Sequence, residues 1–318
     1  MKYGIGLGFF SLFAALIILK GVFAQGEWDV ELLELEADQK VEVHIGGKPF
    51  TSYQFGKKFS MKPVFYPVFS PSGIKVNREI PFEDEELRKQ QDHPHHQSLF
   101  LGYGDVEGLD FWSHRDNAVI VHRSLLEVRS GANNSLDYLA DWINGEGEAV
   151  VREIRSVKFG GSRDCFWMDH KINLTALGKD RPFTDTKEGM FAMRVAESLR
   201  EDKGTGRYLN AFGWETEKEI WGQRAPWVAL RGEIEGQPVA VVIFDHPSTE
   251  NYPSYWHARA YGLFSVNPFG RKDFVKDSTP INKVLPAGES YNFRYRLLVY
   301  QGRIGKLRLD RDYSAYIN

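Results

Sequence analysis

The chain has 318 residues, 42% hydrophobic and 26% charged, with 8 Trp, 14 Tyr and 22 Phe. Those proportions exclude global disorder and a bundle of membrane-spanning helices. A net charge of −3 and a pI near 6.3 give no electrostatic basis for a nucleic-acid partner.

The first element, "MKYGIGLGFFSLFAALIILKGVFAQG", has a short basic start and an apolar stretch from Tyr3 to Leu19. Small residues at Val22 and Ala24 complete a signal-peptide pattern with cleavage after Ala24. The expectation is an exported protein, periplasmic or secreted, with no stable membrane insertion once residues 1–24 are removed. No repeat, heptad run or Pro/Gly/Ser-rich linker divides the rest, so 25–318 reads as one domain. "WDVELLELEADQKVEVHI", from Trp28 to Ile45, is strand-like, and "GGKPF" turns the chain. "FTSYQF", "KPVFYPVF" and "SGIKV" continue in short alternating pieces, and "FEDEELRKQQ" predicts a short helix. Further strands follow from "AVIVHRSLLEVRS" to "ESYNFRYRLLVYQG", with turn signals about every ten residues. This spacing predicts an all-β fold, a large antiparallel β-sandwich of two stacked sheets with few short helices. "EGMFAMRVAESLRED" fits either period, because its helix formers also alternate as a strand would.

Three stretches gather residues suited to chemistry. The first is "DHPHH", with Asp92, His93, His95 and His96. In an extended segment His93 and His95 point to one side and His96 to the other. Pro94 confines the stretch to an edge strand or a loop. No HxxxH, CxxC or HExxH completes a metal site, so proton transfer or polyol orientation is favoured over a metal, and no cofactor is expected. The second is "FDHPSTENYPSYWHARAYGLFSVNPFG". His246 follows a buried strand there. A later strand would carry Tyr255, His257, Arg259 and Tyr261 on one face, with Trp256, Ala258 and Phe264 towards the core. The third runs from Glu188, a carboxylate placed before a glycine, through Arg194 to Trp221 and Arg224. His170 alternates with Phe166, Met168 and Ile172 and reads as a satisfied core histidine. Cys165, the only cysteine, reads as a buried, inert thiol.

"KPVFYPVFSPSGIKV", "DHPHHQSLFLGYGDVEGLDFW" and "YWHARAYGLFSVNPFG" together resemble the PmoA-like family, also called the DUF6807 domain, over about residues 38 to 302. The middle segments "DTKEGMFAMRVAESL" and "RAPWVALRGEI" match as well, and tip 188–199 towards strand. The name suggests a subunit of a membrane methane monooxygenase, but that needs several spanning helices, and this sequence offers one removable apolar segment. The resemblance implies the architecture of galactose-mutarotase-like β-supersandwich proteins and an action on carbohydrate. In such enzymes a histidine acid and a glutamate base work from an aromatic-lined sheet. By that analogy of fold His95 or His96 is the candidate acid and Glu188 the candidate base, and the residue pattern adds His257 as a further catalytic candidate. Asp92, His93, Arg194, Trp221, Arg224, His246, Tyr255, Arg259 and Tyr261 are the implied contacts to a sugar or glycoside. The alternatives are a metal-dependent enzyme built on His93, His95 and His96 with His257 or His246, and a glycan-binding protein without catalysis.

Overall fold

The computed structural model describes Met1 and residues 28–56, 61–81 and 84–318, so the expected leader, Met1 apart, lies outside the described residues. Alternating apolar and polar side chains build β1 (Val30–Leu35), β2 (Lys40–Ile45), β3 (Lys48–Gln54), β4 (Val64–Val68), β5 (Leu99–Tyr103) and β6 (Val119–Arg129). Then come β7 (Ser135–Ile143), β8 (Ala149–Gly161), β9 (Cys165–Ala176), β10 (Arg181–Phe183), β11 (Gly189–Arg194) and β12 (Arg207–Asn210). The last strands are β13 (Trp227–Ile234), β14 (Gln237–Asp245), β15 (Tyr255–Ala258), β16 (Leu263–Asn267), β17 (Lys283–Leu285) and β18 (Ser290–Gln301). Helices are short: α1 (Glu85–Gln90), α2 (Thr216–Ile220) and α3 (Lys306–Ile317). No helix among the described residues is long and apolar enough to cross a membrane.

Two eight-stranded sheets form, and every pairing in them is antiparallel. The first runs β1-β2-β3-β4-β5-β11-β16-β15 and the second β12-β13-β14-β18-β9-β8-β7-β6. This is the large antiparallel β-sandwich that the strand spacing predicts. One face of each sheet supplies a common core, with Val41, Val43, Phe65, Leu101, Phe191, Met193 and Phe264 from the first. Phe166, Met168, Ile172, Phe293, Leu297 and Val299 answer from the second. Helix α3 covers the outer side of the second sheet with Leu309, Tyr313 and Tyr316 against Phe244, Leu298 and Tyr300. A smaller cluster, Val64, Tyr66, Phe100, Trp112, Ala192 and Leu263, lies on the outer side of the first sheet. The β11 register explains the division. Phe191 and Met193 sit opposite Leu101 and Leu99 and point inward, whereas Ala192 pairs Phe100 and points out.

Several sequence expectations change. Residues 28–45 are a hairpin, with a short 3-10 turn over Glu36–Asp38 between β1 and β2. "SYWHARAYGLFSVN" is also a hairpin rather than one strand: β15 ends at Ala258, and Arg259 to Gly262 form the turn into β16. The Gly262 N–H donates to the Arg259 carbonyl at 2.9 Å, and Gly262 has φ +96°, a conformation that favours glycine. Of the stretch 188–199 that the family resemblance tips towards strand, only residues 189–194 are strand, and Glu197–Leu199 form a 3-10 turn. His170 is fully buried between Phe65 and Phe191, but its ring nitrogens have no hydrogen-bond partner among the described residues, so "satisfied" does not hold. Cys165 is buried, and burial pushes its thiol well up, as an inert thiol requires.

Candidate functional site

The histidine stretch is neither strand nor helix. Residues 91–95 form a turn in which His93 takes φ +47°, and the His96 N–H donates to the His93 carbonyl at 3.0 Å. Arg78 builds this turn from inside. Its Nη1 donates to the Asp92 carbonyl and to Asp92 Oδ1, both at 2.8 Å, and its Nη2 to the carbonyls of His93 at 3.1 Å and His96 at 2.9 Å. The turn reverses the expected pairing of side chains. The rings of His93 and His96 lie parallel, 5.0 Å apart and 4° from coplanar, while His95 stands across His96 at 75°.

The Arg259–Gly262 turn meets this stretch. Tyr261 stacks on His93 with ring centroids 4.8 Å apart and planes at 3°. Arg194, at the end of β11 and fully buried, donates from Nη2 to both Asp92 oxygens at 2.9 and 2.8 Å, and its guanidinium lies 5.0 Å from the Tyr261 ring. Arg259 flanks the same ring at 5.5 Å and forms an ion pair with Glu217 at 2.6 Å. Burial alone would push the Asp92 carboxyl up, but the bonds and charge of Arg194, with Arg78 behind it, hold it below the usual carboxylate range. Burial pushes the Tyr261 phenol up to about 12, and the charges of Arg259, Glu188, Arg194 and Asp92 all reach it. Two sequence-distant segments therefore form one cluster over the outer side of the first sheet.

Glu188 borders that cluster at the entry to β11. The Gly104 N–H donates to its carbonyl at 2.7 Å, and a Cβ on Gly104 would fall 2.7 Å from the Glu188 Cβ, so only glycine permits this approach. Burial pushes the Glu188 carboxyl up, Lys187 opposes this, and Asp110 adds to it, while His93 also acts on it from across the cluster. His95 is half-buried and its ring nitrogens have no hydrogen-bond partner among the described residues; burial, with Lys62, pulls it down to about 3, so the ring is neutral. His96 is 1% exposed, and its Nε2 accepts from Trp112 Nε1 at 3.1 Å, which places the ring proton on Nδ1. That removes His96 from direct contact with a substrate, contrary to the expectation, because its ring is sealed between His93, Phe100 and Trp112. His257 is likewise 2% exposed and pulled down to about 3 by burial; Phe274 covers it at 5.9 Å.

Other expected contacts fall elsewhere. Tyr255 is buried beside Phe274 and under the Arg224 guanidinium at 5.2 Å. Arg224 donates to the carbonyls of Pro253 at 2.5 Å and Asn251 at 2.9 Å, so it ties down the 251–253 loop. His246 joins neither segment: its ring sits 2.8 Å from Ser248 Oγ, 3.1 Å from Arg294 Nη1 and against Tyr316. Trp221 packs on Phe274 and lies 5.9 Å from Arg259, at the margin of the cluster. Among the described residues no group of three or more His, Cys, Asp or Glu side chains is arranged to hold a metal ion. The rings of His93, His95 and His96 lie together, with centroids 4.3 to 5.9 Å apart, whereas His246 packs elsewhere, on Ser248, Arg294 and Tyr316.

Sequence reasoning missed Arg78 and Lys62. Lys62 is 2% exposed, donates to the Trp112 carbonyl at 2.5 Å and lies 4.3 Å from the Phe100 ring. Burial pulls its ammonium down to about 7, with the charge of Asp110 opposing. Neither residue carries a spacing signal, since each reaches the histidines only through the fold.

Residues 40–314 match the family of unknown function DUF6807. No curated protein matches the chain. Among solved structures, the galactosidase domain of an alpha-galactosidase-sucrose kinase is 11% identical, with a TM-score of 0.44, over 86% of this chain and 42% of that one. A beta-arabinopyranosidase is 12% identical, with a TM-score of 0.33, over 86% of this chain and 38% of that one. A galactose mutarotase related enzyme from Lactobacillus acidophilus is 9% identical, with a TM-score of 0.33, over 86% of this chain and 97% of that one. The chain thus spans about two fifths of the length of the first two.

Proposed function

The chain belongs to the DUF6807 family of unknown function, and from that premise we propose that it is an exported protein acting on a sugar or glycoside by proton transfer between a carboxyl group and an imidazole. The supporting observation is the meeting of Asp92–His95, Glu188, Arg194 and Tyr261 over one sheet face. The stacked Tyr261 and His93 rings offer a flat wall for the apolar face of a pyranose. Asp92, held by Arg78 and Arg194 and still half exposed, presents an oriented carboxylate to hydroxyl groups.

The proton-transfer pair we assign is Glu188 and His95; His96 and His257 are buried. The His95 ring is neutral and has no hydrogen-bond partner among the described residues, and burial pushes the Glu188 carboxyl up. Epimerisation, lyase chemistry and hydrolysis all use such a pair; a second carboxylate across a scissile bond, as ordinary glycoside hydrolysis needs, is not among the residues assigned here. Export rests on the pattern of residues 1–24, and mass spectrometry of the mature chain should find Gln25 at its N-terminus.

The test is turnover on a panel of aldoses, uronates and aryl glycosides. Glu188→Gln and His95→Ala should each lower kcat by ~100-fold or more with an unchanged Tm. Equal turnover in the variants and the parent would remove both groups from the mechanism. Ligand-induced stabilisation without any product would leave a glycan-binding protein instead.

A further inference from the structure

The outer side of the second sheet carries a cleft of about 460 Å³ whose lining includes Trp28, Trp167, Arg296, Tyr300, Arg308 and Asp312. A smaller one of about 180 Å³ shares Trp28 and Trp167 and continues past Asn134 and Lys158. The local sequence explains why two indoles stand here. Trp167 is an outward position of β9, opposite Gly160 of β8. A Cβ on Gly160 would come within 2.2 Å of the indole, so the glycine lets Trp167 lie across the neighbouring backbone. Trp28 reaches the same groove from the chain before β1, packed on Phe166 and over Gly46.

The polar groups around the indoles are fixed by one another. Arg296 donates from Nε to Asp169 Oδ1 at 2.5 Å and from Nη2 to Oδ2 at 2.6 Å, with its guanidinium 4.5 Å from the Trp167 ring. Asp312 accepts from the Tyr300 hydroxyl at 2.8 Å and from Arg308 Nε at 2.6 Å. Arg308 and Asp164 remain about half exposed, at 40% and 52%. Trp28 and Trp167 are partly exposed in the groove, and indole carbon beside prearranged donors and acceptors suits a ring that is apolar on its face and hydroxylated at its rim. A nucleic acid would meet the carboxylates of Asp164, Asp169 and Asp312, and a purely apolar ligand would strip water from all of these charges.

We propose that this groove is a second carbohydrate-binding site, for the pyranose rings of a polysaccharide chain. It lies on the opposite sheet from Tyr261 and Glu188 and does not depend on the function proposed for them.

Affinity electrophoresis of the mature protein through gels containing xylan, hydroxyethylcellulose, polygalacturonate or laminarin tests this without any turnover. At least one polymer should retard the parent. Trp28→Ala and Trp167→Ala should each weaken that retardation at least fivefold. Arg308→Ala and Asp164→Ala, at half-exposed positions, give the same reading should a tryptophan variant fail to fold. No retardation by any of the four polymers, or equal retardation of parent and groove variants, overturns the proposal. So does self-association without polymer that the tryptophan variants abolish. Loss of the Glu188 reading leaves this result untouched, because retardation does not require catalysis.

Discussion

Arg78 does more for the histidine turn than any histidine does. Its four hydrogen bonds gather three carbonyls and one carboxylate oxygen of the turn onto one guanidinium. Arg78→Met keeps the stem and removes the donors; we expect a loss of at least ~2 kcal/mol in urea unfolding and a larger KM for any substrate found. Arg78→Met with parent stability would show that the turn is held by other contacts. This residue also marks the limit of what could be read in the sequence. The cluster "DHPHH" is visible as letters, and its proline announces a loop. Which rings face each other is not visible, because a left-handed His93 breaks the alternation that an extended segment would impose. The guanidinium that sets that conformation is fourteen residues upstream, in a stretch that reads as ordinary alternating chain.

At the scale of elements, strands and their faces were legible where both sheets bury one side, as in β8, β9 and β18. Hairpin turns inside long apolar-polar runs were not. "YWHARAYGLF" keeps alternating through Ala260 and Tyr261, so period alone runs straight over the corner, and only Gly262 hints at a turn. The correction matters for the site: on a straight strand Tyr261 would align with Tyr255, whereas the corner carries it to His93. The C-terminal helix α3 was also missed, since its tyrosines bury against the second sheet at positions that charged residues separate. Gly262→Ala tests the corner. A Cβ there would sit 3.1 Å from Arg200 Cγ and 3.2 Å from Val195 Cγ2 at a positive φ, and we expect ~1–2 kcal/mol of destabilisation. The variant should also reduce activity more than Ala260→Ser does, since it displaces Tyr261. Parent stability and activity in Gly262→Ala would mean that the turn tolerates another path.

For the molecule as a whole, its histidines predict sensitivity to acid. Burial pulls His95 and His257 down to about 3, His114 to about 2 and His122 to about 4. Each folded value lies below the unfolded value of ~6.5, so the unfolded chain binds more protons between the two. The stability these groups contribute is complete above ~6.5 and is lost as pH falls through the folded values. Asp245 acts the other way. Burial raises it to about 7, so its contribution is present in acid and lost as pH rises from ~4 to about 7. Four histidines outweigh one aspartate, and the urea midpoint should fall steadily between pH 6.5 and 4. A midpoint that holds level across that range would show that these rings take up protons without unfolding.

The placement of β5 beside β11 sets when such a site can come into being. Leu101 and Phe191, partners in that ladder, stand about ninety residues apart in the chain, and half of the strands of the second sheet, β6 to β9, are laid down between them. The loop closure needed to join them makes this pairing slow. The cluster around His93 and Tyr261 and the part of the core supplied by Leu99, Leu101, Phe191 and Met193 therefore come into being together, only once these two distant stretches of chain have met.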